Sequence, residues 1–287
     1  MTNAWKRSVP LRLFALSLGA ALAAGSVFAA DPSASSVKGK FSSSAVTLDA
    51  KSAVAFKGKS FLGDDAIIVA VTNARVNADA LAEFYDRRRA IERRIKDKDT
   101  GVVYLEFRAN GSFRGVSYYF GPGNGCGFCT STVDSSVKWV NGRLIGTLKG
   151  TETSRPFDLA LDVALMSEDH GAPLPADGAA PGAAYLAYHK ALLSRDRATL
   201  KTLLSEEGLH GWAHAEKKGD IDGYLRYLAD EHPDKSVHIV KGYARDGSAL
   251  LLVSGESGVG KLNGEVLLVK EKGTWRINDE LADLEIK

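Results

Sequence analysis

The chain has 287 residues, 25% of them charged and 45% hydrophobic, with 37 Lys+Arg against 35 Asp+Glu. That composition excludes a disordered chain, and near-balanced, interspersed charge gives no electrostatic case for binding nucleic acid or an anionic membrane surface. The excess of cations lies in the first 29 residues, which hold Lys6, Arg7 and Arg12 and no acid; the remainder carries 34 cations against 35 acids, a net −1.

In chain order, residues 1–29 read as a cleavable signal peptide. The three cations form a positive n-region, residues 13–24 are an apolar h-region, and Val27-Phe28-Ala29 offers a peptidase site. The apolar run is shorter than the roughly 20 residues of a membrane-spanning helix. The expected mature chain begins Ala30-Asp31-Pro32, and is periplasmic or secreted without a membrane anchor.

Residues 30–36 form a Ser/Ala-rich lead-in, and 37–167 a first domain of mostly β character. Residues 66–71 are a β-branched apolar run. Val103, Leu105 and Phe107 alternate with Tyr104, Glu106 and Arg108, the pattern of a half-buried strand. Asn110-Gly111 predicts a two-residue type I′ hairpin into a strand over 113–120, and Asn141-Gly142 repeats the device between 137–140 and 144–148. Alternating residues 157–165 close the domain, so an antiparallel sandwich or barrel with one helix is expected. That helix is predicted over 78–96, capped by Asn77, with Leu81, Phe84, Ile91 and Ile95 inward. Its arginines, Arg87, Arg88, Arg89, Arg93 and Arg94, read as a solvated face pairing with Asp86 and Glu92; an anion-binding face is the alternative.

Cys126 and Cys129 are the two cysteines, in a Gly-rich stretch. In an exported protein they read as a structural disulfide; a redox-active CxxC and a metal site stay open, though no helix opens at the pair. The same stretch has neither the helix that opens directly after a phosphate loop nor the Lys and Ser/Thr in register with it.

Residues 168–180, rich in Pro, Gly and Ala, read as a connection to a second domain over 181–287. Helices are predicted over 183–194, 197–204 and 221–230, then strands over 237–243, 249–254, 262–270 and 274–277, an α+β order. The segment AAYLAYHKALLSRD, the following ATLKTLLS and the terminal strand GTWRINDE together resemble the nuclear transport factor 2-like superfamily. The resemblance implies a cone of sheet around helices with a pocket, and pairing of two copies through the second domain's open sheet face. Pocket candidates are Tyr185, Tyr188, Trp212, Tyr224, Tyr227 and Trp275, with His189 and Asp279 as a general-base pair. Gly208 and Gly211 weaken a helix around His210 and His214, whose i,i+4 spacing suits a metal only with a third ligand.

The expectation is an exported, non-enzymatic binding protein, of accessory envelope or immunity type, taking a protein or small-molecule ligand and no cofactor. A cofactor-free lyase or isomerase using the second-domain pocket is one alternative. A CxxC thiol–disulfide protein is the other.

Overall fold

The computed structural model describes residues 35–282, apart from 44–45, 96–98, 122–125, 130–132, 153–154, 231 and 258–259; of 126–129 only the backbone is described. The signal peptide reading of 1–29 therefore lies outside the described residues.

Alternating and β-branched segments form three antiparallel sheets among the described residues. The chain begins with β1 (Ser36–Ser42), β2 (Thr47–Asp49), β3 (Ser52–Lys59) and β4 (Asp65–Thr72). After two helices, α1 (Ala78–Ala82) and α2 (Arg87–Arg94), come β5 (Gly101–Phe107), β6 (Phe113–Phe120) and β7 (Cys126–Cys129). Then follow β8 (Val133–Ser135), β9 (Lys138–Val140), β10 (Arg143–Gly150) and β11 (Phe157–Ala164). The first sheet runs β2-β1-β11-β10-β8 with β9 also on β10, and the second runs β3-β4-β5-β6-β7. Phe41, Leu144 and Leu159 from one and Val69, Leu105 and Val116 from the other share a buried core, so the two sheets stack face to face.

The third sheet comprises β12 (Ala172–Pro173), β13 (Ser236–Arg245), β14 (Ser248–Ser257), β15 (Gly260–Glu271) and β16 (Thr274–Ala282), paired in that order. One of its faces packs on α3 (Ala179–Leu193), α4 (Arg197–Leu203), α5 (Leu209–Lys218) and α6 (Ile221–Asp230). Its other face is covered too. Leu250, Leu252 and Leu267 share a core with Leu81 of α1, Ile91 of α2 and Phe84 between them, which in turn pack on Phe56 and Ile68 of the second sheet. The sheet face through which two copies were expected to pair is thus occupied by the chain itself. The connection over 168–180 is bonded to both sides: Glu168 pairs with Lys57, Asp169 with Arg245, and the His170 ring lies 6.0 Å from Tyr85 and 5.7 Å from Tyr243.

Three local expectations are corrected. β5 is buried along its whole length rather than on alternate residues, because the second sheet is a middle layer with α1 and α2 on its far side. The hairpin at Asn110-Gly111 is a longer turn: Arg108 N donates to Ser112 O, Gly111 N donates to Arg108 O, and only Gly111 takes positive φ. At Asn141-Gly142 both residues do (48° and 76°), as a type I′ turn needs.

The third correction concerns the helix. In place of one helix over 78–96 there are two, broken at Glu83–Asp86. Asn77 caps the first through Ala80 N, and Asp86 caps the second through Arg89 N. At the break, Tyr85 N and Asp86 N donate to Glu265 Oε2 of the third sheet at 2.8 and 3.2 Å, so these amides leave the helical ladder. Nor is the arginine face wholly solvated. Arg87 is buried and bonds Ser167 O, while Arg88 bonds Ser117 Oγ (2.6 Å) and the fully buried Glu106 (3.2 Å) and lies 4.3 Å over the Tyr104 ring. Arg93 and Arg94 do project outward, to a partner on β16.

Because α1 and α2 share one core with both the second and third sheets, unfolding should be a single transition. Leu252→Ala should lower stability by about 3 kcal/mol, measured by urea denaturation followed by both fluorescence and circular dichroism. Two separable transitions would refute the shared core.

Candidate functional site

β16 is the edge strand of the third sheet, and it carries an irregularity. Leu268 pairs with Ile277 but Leu267 pairs with Asp279, leaving Asn278 as an extra residue. The bulge is held from the helical side: Ser205 N donates to Ile277 O (2.8 Å), and Ser205 Oγ bonds Asn278 Oδ1 (2.9 Å). In an unbroken strand Trp275, Ile277 and Asp279 would share a face. The extra residue reverses the alternation, so Asp279 stands opposite Leu267 on the α2 side and Glu280 opposite Val266 on the helical side.

A cleft of about 360 Å³ opens at this place, walled by α2, α3, the start of α5, α6 and strands β15 and β16. Tyr185 and Tyr188 enter it from α3 and Tyr224 from α6, above an apolar floor that includes Val253, Val266 and Ile277. α5 can approach because residue 211 is glycine: a Cβ there would lie 2.6 Å from the Tyr224 hydroxyl oxygen.

Two acidic groups dominate the polar chemistry. Glu280, 17% exposed, accepts from His232 Nε2 at 3.0 Å and from the Tyr188 hydroxyl. The His232 Nδ1 lies 2.6 Å from Leu228 O; a carbonyl only accepts, so Nδ1 carries a proton. Burial opposes a charge on Glu280, yet His232, Tyr188 and Arg93 together hold its carboxyl below the usual range. The pair is therefore an imidazolium–carboxylate, with a phenol fixed against it.

The second group is Glu265 on β15, only 1% exposed. Its Oε2 accepts from the Tyr85 and Asp86 amides, and its Oε1 has no hydrogen-bond partner among the described residues. Burial pushes its carboxyl up to about 7, with Asp86 and Asp279 adding to the rise against the pull of the two amides. A carboxyl near 7 exchanges its proton readily at neutral pH, which is the range a general acid or base needs.

The sequence-predicted residues divide. Tyr185, Tyr188 and Tyr224 line the cleft; Trp212, Tyr227 and Trp275 do not. Trp212 is buried beneath Lys201, Tyr227 is mostly exposed on the outside of α6, and Trp275 lies near Lys270. His189 and Asp279 are not brought together: Asp279 pairs with Arg93 at 3.1 Å and Arg94 at 4.0 Å. His189 is buried 5.9 Å from the His232 ring, with Nδ1 unbonded, and burial and His232 depress its pKa. His210 and His214 do fall on a helix, α5, against the expectation from Gly208 and Gly211, but both are exposed and His210 pairs with Glu207. Among the described residues no three His, Cys, Asp or Glu side chains cluster as metal ligands. Cys126 and Cys129 lie on β7, in register with Tyr119 and Val116, rather than in a loop. Their side chains, and with them the disulfide reading, lie outside the described residues.

Sequence reasoning missed Glu280, His232 and Glu265. A signal existed for two of them. Glu265 interrupts the apolar run LNGEVLLV, where a buried acid is rare, and His232 follows Leu228 at the i,i+4 spacing of a helix end.

Two outcomes follow from these environments. Glu265 titrates near 4.5 unfolded and about 7 folded, so between those pH values the native state holds a proton the unfolded chain has lost. Stability therefore falls as pH rises across that window, by up to about 3 kcal/mol. Glu265→Gln keeps the acceptor for the two amides and should flatten that slope, raising Tm at pH 8 more than at pH 5 in calorimetry. His232→Ala leaves Glu280 buried without its cation and should cost about 3 kcal/mol in urea unfolding; adding Glu280→Gln to it should recover part of the loss.

No protein-family model matches the chain, and no curated protein matches it. Among solved structures, it is similar to one described as a "known function protein" from Kribbella flavida DSM 17836, at 16% identity and a TM-score of 0.26, over 37% of this chain and 88% of that one. A likeness that slight carries neither fold nor function.

Proposed function

We propose that this chain is an exported binding protein that takes a small molecule in the cleft of a nuclear transport factor 2-like second domain. The observation that carries the reading is the cleft of about 360 Å³, in which three tyrosines and an apolar floor meet a few fixed polar groups. Ligand pockets combine those features: apolar surface for affinity and a small number of polar groups for orientation. Helices α3 to α6 on one face of an antiparallel sheet support the cone-like reading of 181–287. The character of residues 1–29 supports export, to the periplasm or outside the cell.

Acid–base catalysis by the same cleft, as a cofactor-free lyase or isomerase, is favoured by one specific arrangement. Glu280 is held between His232 and the Tyr188 hydroxyl, and Glu265 titrates near neutrality on the neighbouring strand, with its side chain on the other face of the sheet. The base in this version is Glu280 or Glu265, and not the His189–Asp279 pair.

Native mass spectrometry of mature protein purified from the periplasm should record the mass of the chain from Ala30 together with a retained small molecule. Leu228→Trp fills the cleft from its half-buried rim and should abolish that retention with little change in Tm. A bare protein, with no compound in a metabolite extract raising its Tm, would refute the small-molecule reading.

A further inference from the structure

Three tight turns meet at one end of the sandwich. The register of β4 with β5, Ile67 against Phe107, sets the β3–β4 turn beside the β5–β6 turn, and Arg114 pairs across them with Asp64. The β5–β6 turn also reaches the first sheet, since a Cβ at Gly111 would lie 3.3 Å from Cβ of Trp139 on β9. The tips are apolar. Phe61 and Leu62 are 51% and 62% exposed at the β3–β4 turn, and Trp139, Val140 and Ile145 stand out at the β9–β10 hairpin. These five are half of the ten exposed large apolar side chains among the described residues.

The backbone holds them out. Ser60 N donates to Asp64 O (2.7 Å), Ser60 Oγ accepts from the Leu62 and Asp64 amides, and the fully buried Glu106 accepts from Phe61 N at 2.8 Å. Trp139 and Val140 stand on a hairpin fixed by the type I′ turn at Asn141-Gly142. Tips built this way need little further ordering to meet a partner. Charge at this end indicates which partner. Asp64 and Asp65 are paired with Arg114 and Lys59, whereas Arg108 bonds only Ser112 Oγ and Phe113 O, and Lys138 pairs with no acid among the described residues. Two cations without acids thus stand beside a convex apolar end.

We propose that this end of the sandwich docks on an anionic lipid surface, with Phe61, Leu62, Trp139 and Val140 entering the interface and Arg108 and Lys138 meeting phosphates. Apolar side chains settle at the boundary of head groups and acyl chains, Trp is enriched at that depth, and cations are drawn to anionic lipid. A fluid surface moulds to convex tips, whereas a protein partner would need a matching hollow. The contact is peripheral and separate from the cleft. The near-neutral charge of the whole chain conceals it, because Arg108 and Lys138 are brought to one end only by the fold.

The test uses the full mature chain and two kinds of vesicle, phosphatidylcholine alone and phosphatidylcholine with about one third phosphatidylglycerol. In sedimentation at low salt the protein should bind the mixed vesicles at least about tenfold more tightly than the neutral ones. Phe61→Ser with Leu62→Ser should weaken that binding at least about tenfold, and Arg108→Gln with Lys138→Gln should remove the preference for phosphatidylglycerol. Leu186→Ser, an exposed apolar position on α3, should change neither. Lipid brominated in its acyl chains should quench the tryptophan emission of the parent, and Trp139→Phe should abolish the quenching. Failure to bind either vesicle overturns the proposal, whatever protein the tips then crosslink to. So does an equal loss in Leu186→Ser, which would mark nonspecific adhesion. Should the double serine variant fail to fold, quenching in the parent decides: emission that brominated lipid leaves unchanged, or quenching that persists in Trp139→Phe, overturns the proposal.

Discussion

Asn278 is the residue of β16 for which β15 has no partner, and every side chain after it stands on the face opposite to the one an unbroken strand would give. The helical side holds it in place, through the backbone pairing of Ser205 with Ile277 and the bond from the Ser205 hydroxyl to Asn278. Asp279 is thereby turned toward the arginines of α2, and Glu280 is turned inward to His232 and Tyr188. The cleft owes its division of charge to that one insertion. Bulges at a sheet edge re-aim side chains in this way, and here the re-aiming places one acid on each wall.

The second organising contact is made by Glu265. Its carboxylate reaches across a layer to take the amides of Tyr85 and Asp86, and in doing so interrupts a segment whose apolar spacing suits a continuous helix. The same carboxyl therefore shapes α1 and α2 and forms part of the cleft wall. Its burial opposes ionisation, so a structural role alone would be filled as well by glutamine, which offers the same acceptor without the charge.

A layered build makes these contacts possible. The two sandwich sheets, the helix pair, the third sheet and the last four helices stack so that both the second and third sheets are buried on both faces. Middle layers are where unusual side chains are held firmly: Glu106 beneath Arg88 in the second sheet, Glu265 beneath the helix break in the third. Each is a buried acid beside apolar strand residues, and each has a backbone amide as partner, Phe61 N for Glu106 and Tyr85 N and Asp86 N for Glu265.

Local chemistry in the sequence was enough to determine strands such as β4, β6, β10, β11 and β13 to β16, the Asn141-Gly142 turn, the Asn77 cap and the helices over 183–194, 197–204 and 221–230, while β1, β2, β3 and β7 carried no such signal. These depend on spacing between neighbours, on positive φ and on capping, all of which are written within a few residues. Three of the pocket tyrosines were legible through the family resemblance, and helical spacing by itself marked them only as buried. Tertiary structure decided the rest. Which of Asp279 and Glu280 turns toward α2 and which toward His232 depends on a bulge held by Ser205, 73 residues away in the chain. Whether 78–96 is one helix or two depends on an acid of the third sheet, and whether β5 is half-buried or fully buried depends on a layer that the strand itself does not encode. Alternation along a strand records only that two faces exist; what covers each face is set by segments distant in sequence, and so the site's acids became legible only once those segments were in place.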